Sequence, residues 1–207
     1  MSFTPSADLQ TQFGAIDIYL FDQLFKGAFD ERRRVLDAGC GSGRNLPYFL
    51  QHGFEIFAID NDTGAAMVVR NLLARLAPSL PPSNVVSGPL DDLPWRDASM
   101  DAVICSAVLH FAEDEQHFDR MLNEMWRVLA PGGLLFARLA SNIGLEGLLP
   151  KSGRRMRLPD GTERFVVSEQ MLLERNARLG AVTREPLKTT NVQNQRCMTT
   201  WVVEKRS

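Results

Sequence analysis

The sequence is short of several features that would each point to a particular class of protein. It has 3 cysteines, Cys40, Cys105 and Cys197, far apart and with no Cys-x-x-Cys pair. An odd, unpatterned set speaks against a disulfide framework or a zinc site and fits a reducing compartment. No apolar run approaches the ~18 residues of a membrane span. The stretch 1–14 has neither the basic nor the apolar block of a secretory leader. Charge of one sign is also lacking, with 23 Lys+Arg against 25 Asp+Glu and a net charge of −2, so no global field draws the chain to nucleic acid or to an anionic membrane. There is no internal repeat and no low-complexity tract. These absences lead us to expect a cytoplasmic, metal-free protein that binds neither nucleic acid nor membrane; we further expect a monomer or homodimer with a small-molecule substrate.

What is present suits one sizeable α/β domain: 207 residues, 44% of them hydrophobic and 23% charged. The organising stretch is Val35-Leu-Asp-Ala-Gly-Cys-Gly-Ser-Gly-Arg-Asn45. An apolar strand end runs into glycines at 39, 41 and 43, and an amphipathic helix pattern starts at Arg44. Glycine permits backbone angles closed to other residues and leaves the backbone bare for a ligand. A helix start adds unpaired N–H groups and partial positive charge.

Further elements follow in alternation. Residues 7–29 read as one helix, with Phe13, Ile16, Leu20 and Leu24 on its stripe and Asp17 and Tyr19 as its notable polar residues. It is either core packing or a lid over the glycine site. Strands are expected at 34–38, 54–59, 84–87, 101–106 and 134–139, and helices at 44–52, from an Asp62 cap to 76, and at 115–129. This order implies right-handed crossovers and a parallel sheet, with ligands beyond the carboxyl ends of its strands. Pro131-Gly-Gly133 reads as a tight turn into the fifth strand. Pro159-Asp-Gly161 marks a hairpin between 154–158 and 163–167, Ser168 caps a helix to Leu179, and runs at 186–192 and 197–204 form a final antiparallel pair.

The glycine spacing excludes two ligand classes. A dinucleotide fingerprint needs Gly-x-Gly-x-x-Gly, but its sixth place is Arg44 counting from Gly39 and Leu46 counting from Gly41. The Gly-Lys-Ser/Thr of a P-loop is absent. What stands is an acid, Asp37, followed by Gly-x-Gly-x-Gly. Together with Ile59-Asp60, the segment from Leu93-Pro94 to Ser106, and Arg127-Val-Leu-Ala-Pro-Gly-Gly133, this resembles the class I S-adenosylmethionine (SAM)-dependent methyltransferases over residues 34–140.

The resemblance implies a Rossmann-like three-layer sandwich whose seven-stranded, mostly parallel sheet has one antiparallel strand. It implies a single domain over 1–207, with a lid helix at 7–29, a SAM-binding core at 34–140, a substrate-side insert at 141–167 and a C-terminal helix and strand pair at 168–207. SAM would be the methyl donor and S-adenosylhomocysteine (SAH) the product. Asp37 would face the donor's ammonium and Asp60 its ribose hydroxyls; otherwise the two are a helix-dipole partner and a solvated strand end. Tyr19, Ala38, Gly39, Gly41, Arg44, Asn45, Asn61 and Ser106 complete the expected cofactor set. In Gly88-Pro-Leu-Asp-Asp-Leu-Pro94, Pro89 stands where the family often has an acid. Leu90 would contact the base instead, and Asp91 either replaces the lost acid or faces solvent.

His110 is a candidate base or a packed core residue, and Tyr19 is a second, weaker catalytic candidate. His52 and His117 read as helix-surface residues, and Cys40 as small packing. His110, Arg138, Asn142, Arg154 and Arg155 are substrate-side candidates. The basic insert, Lys151, Arg154, Arg155, Arg157 and Arg164, is either a solvated face or a clamp for a substrate carboxylate or phosphate. Two rivals stand beside the methyltransferase: a SAM-binding partner without turnover, and a nicotinamide-dependent oxidoreductase.

Overall fold

The computed structural model describes residues 5–147 and 153–207. In chain order it has helices α1 (Pro5–Phe13) and α2 (Ile18–Phe25), strand β1 (Arg34–Ala38), α3 (Pro47–Gln51), β2 (Glu55–Asp60), α4 (Thr63–Leu76), β3 (Val85–Ser87) and β4 (Met100–Ser106). Then come α5 (Glu115–Val128), β5 (Leu129–Ser141), β6 (Arg155–Arg157), β7 (Glu163–Phe165), α6 (Glu169–Leu179), β8 (Val182–Thr183), β9 (Lys188–Val192) and β10 (Arg196–Glu204).

The main sheet runs β3-β2-β1-β4-β5-β10-β8, with β9 also on β10. The pairs among β1 to β5 are parallel, and β10 is antiparallel to β5, β8 and β9. One strand therefore opposes the rest, as expected. The expected seventh strand is shared: β9 pairs with 196–200 of β10, and the short β8 pairs with Val203 and Glu204. The chain winds outward from β1 through β2 to β3 and then returns to β4 on the other side. The strand order thus reverses beside β1, which opens a crevice at the carboxyl ends of β1 and β4.

Both faces of the sheet are covered. Val35, Ile56, Ala58, Ile104 and Phe136 face the side of α3 and α4 with Phe49, Val69 and Leu73. Leu36, Ile59, Val103, Leu135 and Trp201 face the side of α5 and α6 with Phe118, Leu122 and Leu172. Two buried faces explain why these strands read as nearly continuous apolar runs.

Several boundaries differ from expectation. The helix over 7–29 is two helices. Gly14 breaks it at φ +63, and Asp17 then caps α2 by accepting from the Tyr19 N–H at 3.0 Å. A Cβ at Gly14 would lie 2.7 Å from Pro47, so α1 packs tightly over the start of α3. That helix starts at Pro47 rather than Arg44, because residues 43–46 form successive turns, Gly43 N–H to Cys40 O and Leu46 N–H to Gly43 O. β5 begins at Leu129, and Pro131-Gly-Gly133 lies within it rather than before it. Gly132, at φ +74, donates to Lys205 O, and Lys205 N–H donates back to Gly133 O.

The hairpin β6–β7, the Ser168 cap and the left-handed Gly180 at the end of α6 follow expectation. So does the tight turn between β9 and β10, where Gln193 and Asn194 both have positive φ. Lys151 of the basic insert lies outside the described residues.

Candidate functional site

The site grows from the end of β1. Gly39 and Cys40 donate their N–H groups to Ile59 O, at 2.8 and 3.0 Å, which ties the turn to the end of β2. Asp60 then reaches across: one carboxylate oxygen accepts the Gly41 N–H at 2.8 Å and the other the Asp62 N–H at 3.0 Å. The two glycines differ in purpose. A Cβ on Gly39, at φ +78, would sit 2.4 Å from the Val108 side chain, so this position serves packing. A Cβ on Gly41, at φ +50, would meet nothing within 4 Å. That open space is the crevice itself.

The crevice is a cavity of about 710 Å³, within the roughly 300–1,000 Å³ of small-molecule sites. Gly39, Gly41, Arg44, Asn45, Asp60 and Asn61 line its centre. Gly88, Pro89 and Leu90, then Ser106, Ala107, Val108 and Phe111, and then Glu113, His117 and Met121 complete its wall. His117, expected on a helix surface, turns its side toward the cavity, and its ring Nδ1 accepts the Glu113 N–H at 3.3 Å. Glu113 and Met121 were not foreseen as lining residues. The signal for Met121 was its place on the α5 stripe, with His117 one helical turn before it.

Asp37 stands behind the turn. It is 1% exposed, and its Oδ2 has no hydrogen-bond partner. Burial pushes its pKa up to about 7; the Arg44 charge opposes the rise and the Asp60 charge adds to it. Cys40 also lines the cavity, but burial together with Asp37 and Asp60 drives its thiol well above its ordinary range, so it is an inert neutral wall. Burial likewise pushes the Cys105 thiol up to about 12.

A buried carboxylate organises the opposite side. Asp17, 4% exposed, accepts from Ser106 Oγ at 3.0 Å, Arg44 Nη2 at 3.4 Å and Arg138 Nη1 at 3.3 Å. Its own N–H donates to Asn45 Oδ1 at 3.0 Å. Arg138 also lies over the Tyr19 ring, 5.0 Å from its centroid, and the Tyr19 hydroxyl bonds Thr190. Four expected site residues, Arg44, Asn45, Ser106 and Arg138, thus meet at one acid that also caps α2.

Other expected residues fall elsewhere. Ala38 is fully buried in the sheet, and Tyr19 packs between Arg138 and Thr190 outside the cavity lining. Asp91 pairs with Arg120 at 3.1 Å and does not line the cavity, the solvent-side alternative for that residue. Arg154 bonds Ser168 Oγ at 3.3 Å, and Arg155 pairs with Glu163 at 2.8 Å and donates to Ala112 O. Asn142 donates its backbone N–H to Val167 O and lies off the cavity. His110 is 5% exposed, with its ring edge-on to Phe111 at 4.7 Å and its Nδ1 unpartnered. Burial, with the charges of Arg164 and Arg138, pushes its pKa down to about 4, so at neutral pH it is an uncharged ring and a weak base.

The fold and the crevice define a class: a doubly wound α/β protein that takes a nucleoside-like ligand over a glycine turn, with an acid at the end of the second strand. Residues 36–137 match the family model described as Methyltransferase domain. An uncharacterized methyltransferase of Mycobacterium tuberculosis is 31% identical over 103 residues, 50% of this chain and 38% of that one. A malonyl-[acyl-carrier protein] O-methyltransferase of Serratia marcescens is 30% identical over 141 residues, 68% of this chain and 49% of that one. Among solved structures, the Burkholderia thailandensis 1,6-didemethyltoxoflavin-N1-methyltransferase, with SAH and its substrate bound, aligns at TM-score 0.70 and 18% identity over 98% of this chain and 83% of that one. Residues 36–137 thus carry a methyltransferase domain, and the chain is similar to SAM-dependent methyltransferases. It spans less than half the length of either curated relative.

Proposed function

We propose that this chain, acting as one domain, transfers a methyl group from SAM to a small-molecule acceptor in the cytoplasm. The observation that carries the reading is the cradle at Gly41, where a side chain would occupy the cavity and nothing of the protein does. The residues around it fit the donor. Bare turn backbone admits a close-packed ligand, Asp60 has carboxylate lone pairs to spare for ribose hydroxyls, and the unpartnered Oδ2 of Asp37 can answer an ammonium. Leu90 offers an apolar surface and a backbone N–H to the base, which Pro89 cannot.

Bound SAM supplies an activated methyl on a sulfonium, ready for in-line displacement. The protein's part is alignment and exclusion of water, which together are worth several kcal/mol, on the order of 7–11 in well-oriented cases. Ser106, Ala107 and Phe111 are in the cavity wall, and the acceptor would lie against them. The cap of α2, Asp17, is tied to this part of the wall through Ser106.

The test is calorimetric and then chemical. We expect SAM and SAH to bind and NAD(H) not to, and labelled methyl to pass from SAM to a member of a metabolite pool. NAD(H) binding without SAM binding would favour an oxidoreductase. SAM binding with no transfer to any pool would favour a partner protein without turnover.

A further inference from the structure

Behind the cavity-wall residues Ser106 and Phe111 stand two cations, Arg138 and Arg164, while Glu113 is a carboxylate of the wall itself. Arg138 sits beside Ser106 across the β4–β5 register, and its Nε is buried without a partner. Arg164, on β7, lies 4.8 Å from the centroid of Phe111, the aromatic ring of the cavity wall. Its guanidinium donates only to its neighbour's carbonyl, Glu163 O, and has no carboxylate partner among the described residues. His110 is edge-on to Phe111 with its Nδ1 unpartnered, and both guanidinium charges act on it. Among the described residues the only carboxylate bonded to Arg138 is Asp17, which also serves Arg44 and Ser106. Neighbouring Glu163 is taken by Arg155 and Glu115 by Arg175.

The geometry points to an acceptor that bears a carboxylate, held between Arg138 and Arg164 with its carbon chain on Phe111, and methylated on that carboxylate's own oxygen. The inference rests on the methyltransferase reading and names its substrate class. A guanidinium matches a planar carboxylate, and Arg164 has donors to spare while Arg138 shares its charge with Asp17. Phe111 is 55% exposed and gives an apolar body somewhere to lie.

The chemistry fits the lack of a base. A hydroxyl or ammonium acceptor must lose a proton, and the histidine at hand is a weak proton acceptor. A carboxylate is already an anion at neutral pH. Its oxygen lone pair forms the O–CH3 bond while the S–CH3 pair returns to sulfur. Carboxylate and sulfonium become a neutral ester and a neutral thioether, and no proton moves. The neutral ester loses its hold on the two guanidiniums, which favours release.

The full chain saturated with SAH would be titrated calorimetrically with butyrate, succinate and benzoate and with their methyl esters. We expect at least one acid to bind, and its ester to bind at least tenfold more weakly. Arg164→Ala should erase that preference while SAH affinity stays within twofold. Equal binding of acid and ester, or binding of neither, would overturn the inference. Failure of SAH itself to bind would overturn the methyltransferase reading instead. With labelled SAM, the acid that binds should yield a product that releases labelled methanol in mild alkali. An alkali-stable label, or no label on an acid that binds, would refute carboxylate methylation.

Discussion

At the scale of single residues, the glycine turn holds positions of opposite purpose that look alike in the sequence. Gly39 gives room to Val108, whereas Gly41 opens onto the empty space of the cavity. Gly39→Ala adds a clash to a positive φ, strain on the order of 1–3 kcal/mol before the clash is counted, so urea melts should show a clear loss of stability. Gly41→Val should keep a cooperative unfolding transition yet abolish SAH binding by calorimetry; normal binding would mean that the ligand does not lie on this turn. Asp60→Ala removes the acceptor for the Gly41 N–H as well as the proposed ribose contact, and SAM affinity should fall at least tenfold.

Asp37 makes a pH prediction. Its folded pKa, about 7, lies above the unfolded value of roughly 3.9. Between those values the folded chain keeps a proton that the unfolded chain has lost, so this group's contribution to stability falls as pH rises through the window. Asp37→Asn removes the effect. Relative to the parent chain, the variant should gain at least about 1 kcal/mol between pH 5 and pH 8 in urea melts, since each unit inside the window is worth ~1.4 kcal/mol. An unchanged difference would show that Asp37 ionises freely.

At the scale of elements, the N-terminal segment departs most from its sequence reading. Apolar steps of three and four ran unbroken through 13–24, and periodicity alone joined them into one helix. The break depends on Gly14 fitting against Pro47 and on Asp17 finding two guanidiniums that lie 27 and 121 residues further along the chain. Asp17→Ala should be among the most destabilising changes outside the apolar core. It uncaps α2, at about 1 kcal/mol, and strips the partner from Arg138, where breaking a buried pair costs on the order of 3–5 kcal/mol. A measured loss below about 1 kcal/mol would mean that water replaces the carboxylate.

The insert shows the reverse case. Its hairpin was legible from Pro159-Asp-Gly161, because a turn is a local matter. The destination of its arginines was not. Arg154 and Arg155 are spent on Ser168, Glu163 and Ala112 O, while Arg164 reaches Phe111.

At the scale of the whole molecule, the ligand and the fold are thermodynamically linked. SAH at a hundredfold excess over its Kd should stabilise the chain by about 2.7 kcal/mol. For a chain of this size that is a rise in Tm of roughly 5–11 °C. NAD at the same concentration should leave Tm unmoved; an equal rise with NAD would reopen the dinucleotide reading.

The sequence by itself determined the parallel sheet, the order of its elements and the glycine turn with its two acids. Alternation, caps and turn residues act over a few neighbours, so they can be read from a string. It also excluded a dinucleotide fingerprint and a P-loop by spacing alone. Only the tertiary structure decided which glycine opens onto the cavity, that Asp17 gathers Arg44, Ser106 and Arg138, and that Arg164 lies over Phe111. Those are pairings across large sequence separations. They depend on register, side-chain direction and burial, and the folding of the whole chain sets all three.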